Sequence, residues 1–209
     1  MEVYGEKPKK FTAKWWEYIW EYYKWHIISV IFVVFIVVTT FRQCATRPSY
    51  DLQITMATEQ EIVLSQQEAL RKYAEGVISD ATENGELQAY IVPIAINDQS
   101  DSQTLQVQYA RFTVELTVPE SYVFIVSKQY VDAVKESELL ESTSVWADGS
   151  EDEYLISLKG NEKLTALGID TEELYLGVVK LIDKKKDDNV ERVRYENGVR
   201  FSRYLIGLE

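Results

Sequence analysis

Histidine and cysteine are nearly absent from this sequence of 209 residues, which has one of each, His26 and Cys44. A Ser/His/Asp or Cys/His catalytic centre needs a histidine as its base, and His26 stands at the border of a long apolar run. A histidine-based metal site needs several such ligands. No glycine-rich phosphate-binding loop occurs either. The sequence therefore predicts a protein that is not an enzyme and has no cofactor or metal.

The single cysteine also excludes a disulfide within the chain. A folded domain is then held together by its apolar core, which a hydrophobic content of 46% is sufficient to build. Cys44 is an idle thiol or cross-links two copies of the chain, and the idle thiol is favoured. Internal repeats and low-complexity tracts are also missing from the sequence.

Positive charge is scarce beyond residue 49. Residues 1–49 contain seven Lys and Arg against four Asp and Glu, and residues 50–209 contain 15 against 30, so the net charges are +3 and −15. Opposite signs in the two parts indicate that they lie in different surroundings. The acidic part argues against nucleic acid as a partner, because phosphate binding needs clustered Lys and Arg.

Charged residues are missing altogether from IISVIFVVFIVVTTF at positions 27–41. As a helix these residues span about 22 Å, and extension back to Tyr22 gives about 30 Å, the thickness of the hydrocarbon core of a bilayer. The run is rich in β-branched residues, which favour strands in water, whereas lipid enforces a helix. Residues 22–41 are therefore predicted to form a transmembrane helix rather than a buried core helix.

Aromatic residues are concentrated just before this run, in KWWEYIWEYYKWH at positions 14–26. Tryptophan and tyrosine favour the membrane–water boundary, where the ring meets both apolar and polar surroundings. A narrow polar stripe also permits residues 11–23 to lie along the membrane surface. The predicted interfacial residues are Trp15, Trp16, Trp20, Tyr22, Tyr23 and Trp25.

The flanks of the apolar run predict its orientation. Four lysines fall within residues 7–14, whereas only Arg42 and Arg47 closely follow the run. The positive-inside rule then places residues 1–21 in the cytoplasm and the C-terminal domain outside. Cleavage is disfavoured, because no A-x-A-like site follows the run and Phe41-Arg42-Gln43 lacks the small residues that a lipoprotein signal needs before Cys44. The prediction is a single-pass protein of the cell membrane with a signal anchor.

Apolar runs beyond a linker at residues 42–50 predict a sheet. Pro93 removes a main-chain donor and therefore predicts an edge strand or a bulge. The strands are predicted at 51–57, 87–96, 121–127, 154–158 and 174–182.

Helical patterns separate these strands. A capping box at Ser65 predicts the start of the first helix. Asp101 and Pro119 predict the two ends of another helix over residues 104–118, and an apolar stripe predicts a final helix from Val190 onward. The alternation predicts a layered α/β domain over residues 51–209 with at least some parallel strands.

A family resemblance accompanies this pattern. The order strand–helix–strand–helix, followed by QYARFTVELTVPESYVFIVSKQYVDAVKE, resembles the first lobe of extracellular solute-binding proteins. With its KWWEYIWEYYKWH anchor, the whole chain is similar to single-pass membrane proteins of clostridia-like Gram-positive bacteria. The resemblance implies an extracytoplasmic domain built like one lobe of a periplasmic-binding-protein-like fold. A complete solute-binding protein encloses its ligand between two lobes, whereas about 160 residues suffice for one lobe or a much reduced pair.

Polar residues follow the first three predicted strands. In an open α/β sheet, a ligand binds beyond the carboxyl ends of the strands. Polar loop residues occur there in any such fold. The favoured interpretation is therefore that these are ordinary loop residues and bind no ligand. The candidate ligand-binding residues are Thr58, Glu59, Gln60, Asn97, Asp98, Ser127 and Lys128.

One further loop, DATENGELQAYI at positions 80–91, resembles part of a calcium-binding loop. Asp80, Thr82 and Asn84 occupy ligand positions, but Ile91 stands where a bidentate glutamate is needed. A turn at Asn84-Gly85 explains the segment without a metal and is favoured.

Two classes of function are left. The first is a membrane-anchored, non-enzymatic module that binds partner proteins or other envelope components. The second is a tethered lobe that binds or senses a small solute. We favour the first interpretation, because one lobe encloses little and the anchor prevents diffusion to a transporter.

Overall fold

The computed structural model describes residues 11–45, 49–97, 100–147 and 152–208. The chain divides into two compact units, one up to Pro48 and one from Ser49 onward. This division falls within the predicted linker at residues 42–50. Of the predicted site residues, Asp98 lies outside the described residues, as do the lysines at positions 7–10.

Among its described residues, 11–45, the first unit forms helix α1 (Ala13–Ala45), of 33 residues. Its segment Tyr23–Phe41 has a mean hydropathy of 2.1 and is long and apolar enough to cross a membrane. The length and composition of this segment suit both a membrane span and a signal sequence. The predicted span at residues 22–41 lies inside α1, which continues four residues beyond it.

The predicted interfacial residues lie on α1. Trp16, Trp20, Tyr23 and Trp25 are between 46% and 72% exposed, so no protein core holds their rings. Trp15 is half-buried and its ring contacts those of Phe11 and Trp16. The side chain of Tyr22 lies outside the described residues.

The second unit is built around one mixed sheet of five strands in the order β2-β1-β3-β5-β4. Strands β1, β2 and β3 are parallel, whereas β5 is antiparallel to both β3 and β4. The predicted α/β class and parallel pairing are confirmed. The strands are β1 (Leu52–Thr58), β2 (Ala89–Ala95), β3 (Val123–Ser127), β4 (Ile156–Ser157) and β5 (Leu174–Val178).

Helices cover both faces of this sheet. They are α2 (Leu64–Glu75), α3 (Ser102–Thr117), α4 (Val131–Glu136), α5 (Thr143–Trp146), α6 (Glu162–Ala166) and α7 (Asn189–Leu205). Single 3₁₀ turns lie at Lys128–Tyr130 and Asp183–Lys185.

Two apolar layers result, because alternate residues of a strand point to opposite faces. Ile54 and Ile125 face the layer that α2 and α7 cover, where Phe201 of α7 is fully buried. Phe124 faces the other layer, where Phe112 of α3 lies. The sheet is therefore covered on both faces, as parallel strands require.

The helix ends agree in part with the sequence prediction. Asp101 caps α3 by accepting hydrogen bonds from the Gln103 and Thr104 main-chain N–H groups at 3.0 and 2.9 Å. The predicted cap at Ser65 is wrong. The capping residue is Val63, two residues earlier, so the helix begins at Leu64, and the Gln66 side chain accepts from the Val63 N–H at 3.1 Å. The only capping side chain is that of Gln66, so the residue type at the capping position, Val63, gives no sign of the helix start in the sequence.

Candidate functional site

β1 and β3 are neighbouring strands, and beyond their carboxyl ends the chain leaves the sheet toward opposite faces. After β1 the chain enters α2 on one face, and after β3 it enters α4 on the other. Neighbouring strands that continue in opposite directions leave a crevice between them, and ligands of open α/β sheets occupy such a crevice.

A crevice of about 470 Å³ lies at this point. Its polar floor consists of Thr58 and Ser127, which are 4% and 7% exposed. The Thr58 hydroxyl donates to the Gln60 main-chain oxygen at 2.7 Å, which fixes the turn after β1. Ile62 and Ile169 supply buried apolar wall. The crevice thus combines hydroxyl groups with apolar surface.

The loop before β5, a distant part of the chain, completes the crevice because β5 runs antiparallel to β3. Ser127, the last residue of β3, is paired with Leu174, the first residue of β5. The loop before β5 therefore lies beside the carboxyl ends of β1 and β3. The Lys128 N–H donates to the Glu173 main-chain oxygen at 2.8 Å, which holds this loop against the end of β3.

A second contact fixes the loop to the start of α2. The Gln66 side chain donates from Nε2 to the main-chain oxygen of Gly168. Gly168 has φ +76°, a left-handed conformation that turns the chain out of α6 and favours glycine. Hydrogen bonds therefore connect the loop before β5 both to the end of β3 and to the start of α2.

The rim of the crevice is acidic. It is formed by exposed carboxylates from the loops after β1 and before β5, namely Glu59, Glu61, Asp170, Glu172 and Glu173. Lys159 lies 2.9 Å from Glu172 at an exposed position, and this contact raises the pKa of the lysine. Because one lysine is paired with one of five carboxylates, the rim carries an excess of negative charge. It suits a cationic ligand.

A second, open groove of about 610 Å³ adjoins the crevice. The two share Ile169, Asp170 and Glu172, and Glu162 adds a further carboxylate to the second groove. The acidic surface therefore continues past the crevice, which suits an extended ligand better than an enclosed one.

The structure brings together four of the seven predicted ligand-binding residues. Thr58, Glu59, Gln60 and Ser127 line the crevice. Lys128 is exposed directly after Ser127 and does not line the crevice, and Asn97, which follows β2, does not line it either. Whether any of them binds a ligand stays a prediction.

The sequence analysis missed the half of the site that comes from the loop before β5. Asp170, Glu172 and Glu173 lie more than 100 residues from Thr58 along the chain. The only local signal was an acidic run directly before an apolar strand. Its meaning depends on the direction of β5, which the periodicity of a strand does not reveal.

The loop at residues 80–91 satisfies its own carboxylate with main-chain donors. Asp80 accepts from the Gly85 N–H at 2.7 Å and from the Thr82 N–H at 3.0 Å, and these bonds lower its pKa. Asn84 accepts from the Glu86 N–H at 2.8 Å. In the described ranges, no three His, Cys, Asp or Glu side chains are grouped so as to hold a metal ion.

Comparison of the chain with protein-family models, with curated proteins and with solved structures finds no match. The resemblance to a lobe of solute-binding proteins therefore stays a prediction.

Proposed function

We propose that the protein is a single-pass membrane protein whose acidic extracytoplasmic domain binds a basic partner of the cell envelope. The acidic crevice and its adjoining groove carry the proposal. According to this proposal, the domain positions and retains its partner and takes no part in a chemical step.

The anchor supports the membrane location. Segment Tyr23–Phe41 is apolar on average and no part of it is buried, and residues such as Val30, Phe32 and Phe35 are more than 60% exposed. Water would oppose this exposure, whereas lipid removes the cost. The lysines before the span favour a cytoplasmic N-terminus.

The charge of the domain supports a basic partner. Residues 50–209 carry a net charge of −15, and the rim concentrates carboxylates at a concave surface. Such a field accelerates the encounter with a cationic surface and weakens as salt screens it. Two adjoining depressions fit a basic peptide segment that lies across both.

The test is cross-linking in intact cells from a photoreactive residue at Gln60 in the crevice, followed by mass spectrometry. A matched control carries the same residue at Glu196, which is exposed on α7. We expect a defined partner from position 60 only. Equal patterns of cross-links from both positions would contradict the proposal.

Two charge variants test the rim itself. One carries E59Q, E61Q, E172Q and E173Q, and the other carries E83Q, D132N, E136Q and E196Q at exposed sites elsewhere. Each variant removes the same number of negative charges. We expect the first variant to lose the partner and the second to keep it, with recovery of the wild type falling as ionic strength rises.

A small solute is the second candidate, and the crevice volume favours it. A volume of about 470 Å³ lies within the range of about 300–1,000 Å³ that small-molecule sites have, and the hydroxyls of Thr58 and Ser127 lie at its floor. A ligand that binds only the folded state raises the melting temperature. A saturable thermal shift from one sugar, peptide or amino acid, with no partner cross-linked from Gln60, would replace the first proposal with this one.

A further inference from the structure

The floor of the crevice holds a hydroxyl group that the domain itself does not use. Ser127 is 7% exposed, and its side chain forms no hydrogen bond with any residue in the described ranges. The residue nevertheless lines the crevice. A buried hydroxyl is unfavourable without a hydrogen-bond partner, so this side chain favours a ligand that supplies one.

Thr58 stands beside Ser127 and adds a second oxygen. Strands β1 and β3 pair Ala57 with Val126, so the next residues of the two strands lie across from each other, with main chains about 5 Å apart. Both side chains share the face that α2 and α7 cover, because alternate residues of a strand point the same way and the residues two positions earlier belong to that layer. We call the two hydroxyls the Thr58–Ser127 pair.

The Thr58–Ser127 pair is suited to accept hydrogen bonds. The Thr58 hydroxyl already donates its proton to the Gln60 main-chain oxygen at 2.7 Å, so only its lone pairs are left for a ligand. The Ser127 hydroxyl rotates to donate or to accept. A ligand group that carries several N–H donors therefore satisfies both oxygens at once.

Carboxylates beside the pair favour a donor that is positively charged. Glu59 and Glu61 flank Gln60 in the turn that the Thr58 hydroxyl fixes, and both are exposed at the rim. Neither forms an ion pair within the part of the chain that the structure describes. Their negative charge offsets part of the cost of moving a cation from water to the floor of the crevice.

The wall of the crevice fits the rest of a basic side chain. Ile62 and Ile169 are 6% and 3% exposed, and the exposed Val63 adds apolar surface to the same lining. Lysine and arginine pack their aliphatic stems on apolar surface while the charged head group stays with polar groups. An apolar side chain would use this wall but would leave the Ser127 hydroxyl without a partner.

We propose that the crevice binds one lysine or arginine side chain of the partner, and that the N–H groups of this side chain donate to the Thr58–Ser127 pair. This inference rests on the proposed function and deepens it, because it names the chemical group that the crevice recognises. The acidic rim attracts any cationic surface. The pair distinguishes a head group that has N–H donors from a cation that has none.

Trimethylated lysine separates these two contributions, because it keeps the charge and the stem of lysine but has no N–H donor. The full-length chain in nanodiscs of zwitterionic lipid is titrated into either of two fluorescent peptides. Both contain three lysines separated by glycines, and in one peptide all three are trimethylated. We expect fluorescence anisotropy to show about tenfold tighter binding of the unmodified peptide. Equal affinities would overturn this inference and leave the proposed function intact, whereas binding of neither peptide would overturn both.

A matched pair of variants tests the role of the Ser127 hydroxyl. Ser202 of α7 is the control, because it is fully buried and its hydroxyl also lacks a partner among the described residues, but it does not line the crevice. We expect S127A to weaken binding of the unmodified peptide about tenfold and to leave the trimethylated peptide unchanged, which also shows that the variant is folded. S202A should change neither affinity. Unchanged binding of the unmodified peptide by S127A, or an equal loss of both peptides, would overturn the assignment of the hydroxyl.

Discussion

Asn197 and Asp51 are joined by a hydrogen bond that connects the final helix to the start of the first strand. The Asn197 Nδ2 donates to the Asp51 main-chain oxygen at 3.1 Å, and Asn197 is fully buried. Asn197 also donates to the Ser79 oxygen at 2.7 Å and accepts from the Ser79 N–H at 2.8 Å. The Asp51 carboxylate accepts from three N–H groups, those of Ala81, Thr82 and Gln88. These two residues together fix the loop between α2 and β2.

We expect Asn197→Leu to destabilise the domain by about 2–4 kcal/mol, because three main-chain groups, that of buried Asp51 and two of half-buried Ser79, lose their partner. Urea unfolding of fragment 49–209 measures this through Trp146, which is the only tryptophan of that fragment and is 1% exposed. The neighbouring and exposed Glu196→Leu serves as the control and should change stability by less than about 0.5 kcal/mol. Similar losses from both variants would mean that the hydrogen bonds of Asn197 contribute little.

Gly198 permits α7 to approach the sheet closely. A Cβ at this position would lie 2.9 Å from the Tyr122 Cβ, closer than such atoms pack. Gly198→Ala gains about 1 kcal/mol of helix propensity, yet we expect a net loss of about 1–3 kcal/mol from the clash. The same urea measurement checks this prediction, and a stabilised variant would show that α7 can shift without cost.

The parts of the fold that could be predicted from the sequence depend on local chemistry. Asp101 and Pro119 mark the ends of α3, because a capping carboxylate and a missing N–H act on adjacent residues. Pro93 likewise predicts an edge strand, and β2 lies at the edge of the sheet. Each of these signals acts within a few residues of its position.

The parts that could not be predicted depend on contacts between distant residues. The predicted strand at 154–158 is reduced to Ile156–Ser157, and the short helices α5 and α6 carry too few residues for a periodic pattern. Glu173 joins the crevice only because β5 is antiparallel to β3. The candidate site was therefore predicted on the side of β1 and β3 and missed on the side of β5.

The carboxyl of Glu115 predicts a pH dependence of stability. Burial raises the pKa of this group above its ordinary value of 4.5, although a hydrogen bond from the Thr55 hydroxyl at 3.2 Å acts in the opposite direction. Nearby Glu120 adds to the rise and Arg111 opposes it. The folded chain therefore holds this proton more tightly than the unfolded chain does.

Because the pKa of Glu115 is higher in the folded chain than in the unfolded chain, its protonated carboxyl contributes to stability at low pH. This stabilising contribution is lost as pH increases above 4.5. We expect Glu115→Gln to match the wild type at low pH and to exceed it in stability above this interval. Urea unfolding of fragment 49–209 at a series of pH values measures the difference, with the exposed Glu136→Gln as the control. A difference that is constant with pH would contradict the assignment.

The proposed topology predicts which residues a membrane-impermeant maleimide labels. In intact cells we expect Cys44 to be labelled, because it follows the span on the outer side. A cysteine at Lys7 in the C44S background should be labelled only after the membrane is permeabilised. The reverse pattern would place the acidic domain in the cytoplasm, and labelling of both positions in intact cells would mean that the segment does not span the membrane.

The aromatic residues of α1 predict a distinct response to lipid quenchers. Four of the five tryptophans, Trp15, Trp16, Trp20 and Trp25, precede or begin the apolar segment, and the fifth, Trp146, is buried in the other unit. If the four lie at the membrane boundary, lipids brominated near the headgroup should quench most of the fluorescence of the full-length chain. Replacement of the four by Ser should leave only the unquenched emission of Trp146, which serves as the internal control. Fluorescence of the wild type that brominated lipids do not reduce, but aqueous iodide does, would show that the aromatic segment lies in water.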